Sequence, residues 1–518
     1  MKKIRVAVSL IFFISLTLLF LDYNEFIPAG VKKIFTAVQF IPALLKFITL
    51  VNLTGIGLFI VLVLTILFGR VYCSSICPLG TLQDIVNFIS KKLRGKKKSR
   101  TKYDKPNTIF RLTFLILSVA SIVSGELIIL YILDPYSNYG RIVGNLFRPV
   151  FVTINNLLSS LLVGFDVYSV SPIDLKKFAL LPIGISAIIL GIVFLLSFFN
   201  GRLFCNSFCP IGTLLGYMSK FSLFKVRINK AECLSCGVCE FSCKSNCINS
   251  AEKYIDTTRC VDCFNCLTVC PTEGIKYSAR IGFEKHEVSE SSIDVRRRNF
   301  IGSIATFFLS SSIIVRAQKK IDVKVMNKIL VMPEFPISPP GAGSIERFNS
   351  LCTACNLCVS TCPTQVLQPS FLEYGFTKML QPRMDNLAGF CNYECNACTE
   401  VCPTGALLPL PLEKKKLTQL GIAVFLKENC IVLTQKTECG ACSEHCPTKA
   451  VHMIPYYGLR LPEVRIDYCI GCGACEYACP TVPNKAIYVD GNKIHTAAKK
   501  PAEEKPAETF DTKEEFPF

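Results

Sequence analysis

The sequence predicts an all-α, multi-span membrane domain joined to α+β ferredoxin-like modules of the bacterial two-cluster 4Fe-4S type. Apolar runs of spanning length crowd the first 200 residues, and six cysteine groups with C-x-x-C-x-x-C-x-x-x-C-type spacing lie beyond them. Lys and Arg flank the apolar runs instead of forming one face, so the net charge of +18 reads as membrane topology and excludes a nucleic-acid surface.

A bilayer crossing takes about 17 to 25 mostly apolar residues. Residues 4–21, 50–68, 112–133 and 178–199 qualify, giving four expected spans. The first resembles a signal peptide, yet Asp22, Tyr23 and Asn24 come next with no small-residue cleavage pattern, so an uncleaved span is expected. Two weaker runs, 34–48 and 146–165, are interrupted by Pro42 and Lys46 or by Arg148, Asn155 and Asn156, and suit interfacial helices. Lys2, Lys3 and Arg5 precede the first span, and the loop from Lys91 to Lys105 carries Lys91, Lys92, Arg94, Lys96, Lys97, Lys98, Arg100 and Lys102. Both segments are expected in the cytoplasm, which places the multi-pass protein in the cytoplasmic (inner) membrane.

A repeat closes the second and fourth expected spans. Gly69-Arg70-Val71-Tyr72-Cys73-Ser74-Ser75-Ile76-Cys77-Pro78-Leu79-Gly80-Thr81-Leu82 returns as Gly201-Arg202-Leu203-Phe204-Cys205-Asn206-Ser207-Phe208-Cys209-Pro210-Ile211-Gly212-Thr213-Leu214. Parallel helical repeats bring four thiols to one membrane surface, so Cys73, Cys77, Cys205 and Cys209 are candidates for a shared metal or cluster. A duplicated structural turn with free or transiently paired thiols is the alternative, because C-x-x-x-C alone is a weak ligand signature.

The first soluble module, 225–285, offers one tripod at Cys233, Cys236 and Cys239 and a second at Cys260, Cys263 and Cys266. In the bacterial ferredoxin pattern the fourth ligands cross over, Cys270 to the first site and Cys243 or Cys247 to the second. Next, Arg296-Arg297-Arg298-Asn299-Phe300-Ile301-Gly302 and an apolar run resemble a twin-arginine export signal over 296–317. A fifth, marginal helix is the alternative. Either reading puts the remainder of the chain outside the cytoplasm, in the periplasm or an equivalent space.

The second module, 345–490, contains Cys352, Cys355, Cys358 and Cys362; Cys391, Cys395, Cys398 and Cys402; Cys430, Cys439, Cys442 and Cys446; and Cys469, Cys472, Cys475 and Cys479. Each group closes with Cys-Pro-Thr, the mark of a duplicated unit. The first group is open to exchanging its last ligand with the second or the fourth. Six [4Fe-4S] clusters and the membrane repeat account for all but one of 29 cysteines, and that one is the choice between Cys243 and Cys247. Zinc does not need a third cysteine three residues on, and disulfides do not need ligand spacing in every group. The tail, 497–518, is rich in Lys, Glu, Pro and Ala and is expected to be disordered.

Only four histidines occur, at 286, 445, 452 and 495, so no pair lies in the membrane to ligate a haem. Glu126 and Asp134, in or beside the third expected span, are the candidate groups for quinol protons, because an intramembrane carboxylate is costly unless it has a function.

The paired Cys-x-x-x-Cys-Pro motifs, with two ferredoxin motifs after them, resemble the NapH and NosR type of membrane ferredoxin over residues 1 to about 280. The four groups beyond, with widened spacing before Cys395 and Cys439, resemble NapG-type four-cluster subunits. The resemblance implies a membrane domain over 1–220 that takes part in quinol-linked electron transfer, with quinone as donor or acceptor. The expected function is an iron-sulfur relay between the quinone pool and an exported redox enzyme or cytochrome, part of a quinol dehydrogenase without substrate chemistry of its own. A maturation or redox-sensing protein for another metalloenzyme is the alternative.

Overall fold

In the computed structural model, residues 1–22, 27–50, 55–98, 102–173, 180–279 and 333–500 are described. The first part is helical throughout: α1 (Lys2–Leu21), α2 (Ala29–Ala37), α3 (Phe40–Leu50), α4 (Ile56–Phe68), α5 (Val71–Ser75), α6 (Pro78–Lys98), α7 (Thr108–Val123), α8 (Ile128–Leu133), α9 (Pro135–Ile142), α10 (Arg148–Val163), α11 (Leu180–Asn200), α12 (Leu203–Ser207) and α13 (Pro210–Ser219). A π-helical turn, Val143–Phe147, fuses α9 to α10.

Three helices are long and apolar enough to cross a membrane: Lys2–Leu21, Pro135–Val163 and Leu180–Asn200. This corrects the expected spans in two places. The 112–133 run is broken, because α7 stops at Val123 and Gly125 turns the chain with φ +73° before α8 begins. Conversely, the 146–165 run belongs to the 29-residue Pro135–Val163 helix, whose Asn155 and Asn156 side chains bond Ser171 and Ile173 carbonyls instead of ending it. Of the 50–68 run, residues 51–54 lie outside the described residues and Ile56–Phe68 forms α4. Ile4, Ile11, Ile14 and Leu18 on α1, and Ile188, Ile192 and Leu195 on α11, face outward uncovered. Such apolar stripes suit hydrocarbon as their solvent.

The duplicated sequence folds as a duplicated packing. The post-cysteine helix α6 packs on α1 and α11, and its counterpart α13 packs on α7 and α4. Each copy's helix therefore leans on the other copy's span, which interlocks the halves.

Two ferredoxin-like modules sit at opposite ends of this bundle. In the first, β1 (Phe224–Ile228) pairs antiparallel with a later strand, Ile275–Ala279, and Phe224 stacks on Phe68 at the end of α4. Short strands β2 (Ile248–Asn249) and β3 (Tyr254–Ile255) pair between them, making Ile275–Ala279 β4. The second module is built from two-stranded antiparallel sheets: β5 (Leu367–Pro369) with β6 (Pro382–Met384), β7 (Thr418–Phe425) with β10 (Ile487–Ala497), and β8 (Val451–Tyr456) with β9 (Leu459–Val464). Leu16, Leu19 and Phe20 at the far end of α1 share its core, as do Tyr136 and Tyr139 of α9. Arg5, at the near end of α1, instead bonds Ser74 and Asp84 on the repeat side. At about 1.5 Å per residue, the 20 residues of α1 separate the two ends by about 30 Å.

The twin-arginine-like segment lies outside the described residues, as does 501–518. The tail is ordered further than expected, since Ala498 N–H bonds the Leu417 carbonyl and Lys499 pairs with Asp467.

Candidate electron-transfer sites

Most of the cysteine groups share one local device. Cys243, Cys270, Cys362, Cys402 and Cys479 each terminate a five-residue helix with extended backbone, φ from −73° to −62° and ψ from 112° to 123°. A proline in the next position forces this geometry by clashing with an α-helical predecessor, and it throws the fourth thiol away from its own tripod. Cys243 adopts it although Lys244 replaces proline, because Arg202 N–H holds the Lys244 carbonyl at 3.0 Å.

The result is crossed pairing. Cys362 meets Cys391, Cys395 and Cys398 around one cavity, and Cys479 meets Cys430, Cys439 and Cys442 around another. Reciprocally, Cys402 stands within electrostatic reach of Cys352, Cys355 and Cys358, and Cys446 of Cys469, Cys472 and Cys475. The first group thus exchanges with the second. In the first module Cys260, Cys263 and Cys266 share a cavity with both Cys243 and Cys247, whose sulfurs are 3.5 Å apart. Cys243 has the helix-closing geometry of the other fourth thiols, while Cys247 stands in hydrogen-bond contact with Cys260, so both thiols face the site. Among the described residues no three Cys, His, Asp or Glu side chains close on a single point as one metal ion requires. Thiols standing around a space suit a polynuclear cage.

Threonine is the residue that sequence reasoning passed over. In Cys-Pro-Thr its hydroxyl lies 3.1 Å from the sulfur of Cys479 and 3.6 Å from those of Cys362 and Cys402. Leu407 and Ala450 N–H groups add bonds to Cys402 and Cys446 sulfurs at 3.3 and 3.2 Å. Hydrogen bonds to sulfur stabilise negative charge there and set reduction potential. The recurring Thr was itself the signal.

The membrane repeat brings Cys73, Cys77, Cys205 and Cys209 together, all 3–4% exposed and each in the field of the others. Two buried arginines cross between the copies. Arg70 reaches the Cys205 carbonyl at 3.5 Å, Asn206 Oδ1 at 2.9 Å and Cys73 Sγ at 3.8 Å, while Arg202 donates to the Cys73 carbonyl at 2.6 Å. Gly80 and Gly212 admit this crossing, because a Cβ there would lie 2.3 Å and 2.1 Å from the Cys73 and Cys205 carbonyl oxygens. Arg202 is neutralised by Asp84, which also pairs with Lys244 and Arg5. Arg70 makes no ion pair with a carboxylate among the described residues, so its buried charge faces the thiols. An anionic centre held by four thiolates fits that environment.

Glu126 and Asp134 are not brought together and have other partners. Glu126 pairs with Lys378 of the second module at 2.7 Å. Asp134 caps α9, accepting from Tyr136 N–H and from the N–H and hydroxyl of Ser137. These contacts give both carboxylates structural partners.

Comparison with known proteins agrees with this chemistry. The family described as "4Fe-4S binding domain" matches residues 53–97 and 183–229, the two copies of the repeat. Two families described as "4Fe-4S dicluster domain" match 351–407 and 437–482 in the second module. An uncharacterized protein of Methanocaldococcus jannaschii is 29% identical over 222 residues, 43% of this chain and 77% of its own length. The methylamine utilization ferredoxin-type protein MauN of Paracoccus denitrificans is 27% identical over 198 residues, 38% of this chain and 53% of its own. A ferredoxin-like protein in the nif region of Sinorhizobium fredii is 42% identical over 53 residues, 9% of this chain and 83% of its own. The chain is an iron-sulfur protein of electron transport.

Proposed function

We propose that this protein is a membrane-bound relay between the quinone pool and an exported redox enzyme, combining a NapH/NosR-like domain with a NapG-like four-cluster domain. The supporting observation is the placement of the two modules at opposite ends of α1, the first beside Arg5 and the repeat, the second around Leu16 and Phe20. The basic N-terminal segment puts the first module in the cytoplasm and the second outside it.

Cys233, Cys236, Cys239 and Cys270 hold one [4Fe-4S] cluster, and Cys260, Cys263, Cys266 and Cys243 a second. The four crossed sets of the second module hold four more, and the repeat cysteines hold a seventh centre. When bound, such clusters supply one-electron redox chemistry. The chain's own part is to exclude water, bond the sulfurs and set the surrounding charge.

Membranes containing the full chain test the reading. A quinol analogue reduces the clusters, and Cys77→Ala or Cys209→Ala abolishes the reduction. Normal reduction in those variants, with failure of a partner enzyme to mature, would instead establish the maturation role.

A further inference from the structure

The first module is oriented. Cys236 is exposed, with Leu234 and Val238 exposed beside it, and Lys253 Nζ bonds the carbonyls of Lys230 and Cys233. That site meets solvent through an apolar patch next to lysines. The other site faces the membrane domain and is gripped by both copies of the repeat. Arg70 N–H bonds Asp262 Oδ2 at 2.9 Å, between Cys260 and Cys263, and Arg202 N–H bonds the carbonyl of Lys244, beside Cys243. Gly69 and Gly201 allow this approach, since a Cβ would lie 2.4 Å from Asp262 Oδ2 and 2.3 Å from the Lys244 oxygen.

On the other side, the second module presses its first cysteine group into the bundle. A Cβ on Gly140 of α9 would lie 2.4 Å from the Cys355 carbonyl oxygen. Tyr131 of α8 bonds the Thr377 carbonyl, and Lys378 bonds that of Gly125. One continuous buried cluster contains all four repeat cysteines, Cys263 from the first module and Ala354, between Cys352 and Cys355, from the second.

Resting on the seventh centre proposed above, we infer that Cys73, Cys77, Cys205 and Cys209 form the junction between the modules. The protein then passes electrons straight across the membrane from a soluble, acidic one-electron carrier, without quinone as an obligate intermediate. Each transfer oxidises the carrier by one electron and reduces an external acceptor by one. No bond is made or broken, and no proton is required. The exposed Cys236 site is the entry and the Cys352 to Cys358 site the first station on the far side.

The test uses the full chain in sealed, quinone-free vesicles containing ferricyanide, with reduced two-cluster bacterial ferredoxin added outside. Ferricyanide bleaches in vesicles containing the intact protein. With Cys77→Ser/Cys209→Ser, bleaching falls to the protein-free rate while the iron and reduced-state paramagnetic signals of the six ferredoxin-type sites persist. Bleaching at the normal rate in that variant overturns the junction. If decylubiquinol drives bleaching but ferredoxin does not, this proposal fails and the quinone relay stands; if neither does so with all iron present, both fall. Should the cysteine variant not retain its iron, Arg70→Met keeps the four thiols. It lowers the midpoint potential of the seventh signal and slows bleaching, and an unchanged potential and rate overturn the assignment.

Discussion

Asp84 Oδ1 accepts Arg202 Nε at 2.9 Å, joining the post-cysteine helix of the first copy to the arginine of the second. The other oxygen pairs with Lys244 of the ferredoxin module at 3.0 Å and with Arg5 of α1 at 3.2 Å. Burial alone would raise this carboxyl, but the charges of Arg202, Lys244 and Arg5 overcome it and hold it well below the usual carboxylate range.

Asp84→Asn therefore leaves three cations without their counter-charge. Breaking a buried ion pair from one side costs about 3–5 kcal/mol. The variant is expected to unfold at lower temperature in detergent and to shed the first module to protease; an unchanged melting temperature would contradict the network.

Gly69 and Gly201 have φ of +79° and +64° and no room for a side chain. Gly69, with ψ of −155°, occupies a backbone region essentially reserved for glycine, so Gly69→Ala adds about 1–3 kcal/mol of strain to a collision with Asp262. The first module then seats more weakly, visible as faster hydrogen exchange in 258–264, whereas Gly184→Ala, with open space around it, leaves exchange unaltered.

Thr481 accepts the Ala486 N–H at 2.9 Å, which leaves its own proton for the Cys479 sulfur. Thr481→Val removes a bond worth about 1 kcal/mol from the more negative, reduced state. One cluster potential moves down in a redox titration monitored by paramagnetic resonance, and the others keep their values.

Cys402→Ser separates sequence grouping from spatial grouping. The damaged signal belongs to the Cys352, Cys355 and Cys358 site, not to Cys391, Cys395 and Cys398. Cys362→Ser in turn damages the Cys391, Cys395 and Cys398 site; loss of each mutated cysteine's own sequence group instead would refute the crossed pairing.

His495 donates to or accepts from Ser338 Oγ at 2.8 Å, and burial pushes its imidazole down to about 4. Unfolded, it titrates near 6.5. Between these values the unfolded chain binds the extra proton, so stability is full above about 6.5 and declines as pH falls toward 4. The loss is on the order of 3 kcal/mol. His495→Gln flattens this part of the melting-temperature profile, and an equally steep profile in the variant would remove His495 as the cause.

The cysteine groups were legible because ligand spacing is local and survives any arrangement of neighbours. Crossed partners were not, since Cys402 and Cys352 are joined only through folding. The span at 112–133 was misread because a composition window passes over Gly125, whose backbone turn ends α7. For Asp134 the sequence offered two readings, a charge in an apolar setting and a helix end before Pro135, and the cap on Tyr136 and Ser137 N–H groups fits the second. Arg70 and Arg202 stood in the repeat in plain view, but their crossing depends on Gly80 and Gly212, seven residues beyond Cys73 and Cys205 respectively.

A duplicated platform offers a guest two matching berths, and an unkeyed ferredoxin would seat on either as readily. Position 84 of the first copy aligns with Gly216 of the second, where a Cβ would sit 2.3 Å from the Thr258 oxygen. Asp84 draws Lys244 to one berth, and only glycine leaves space for Thr258 at the other. Duplication made the cradle, and one divergent pair decides which way round its occupant lies.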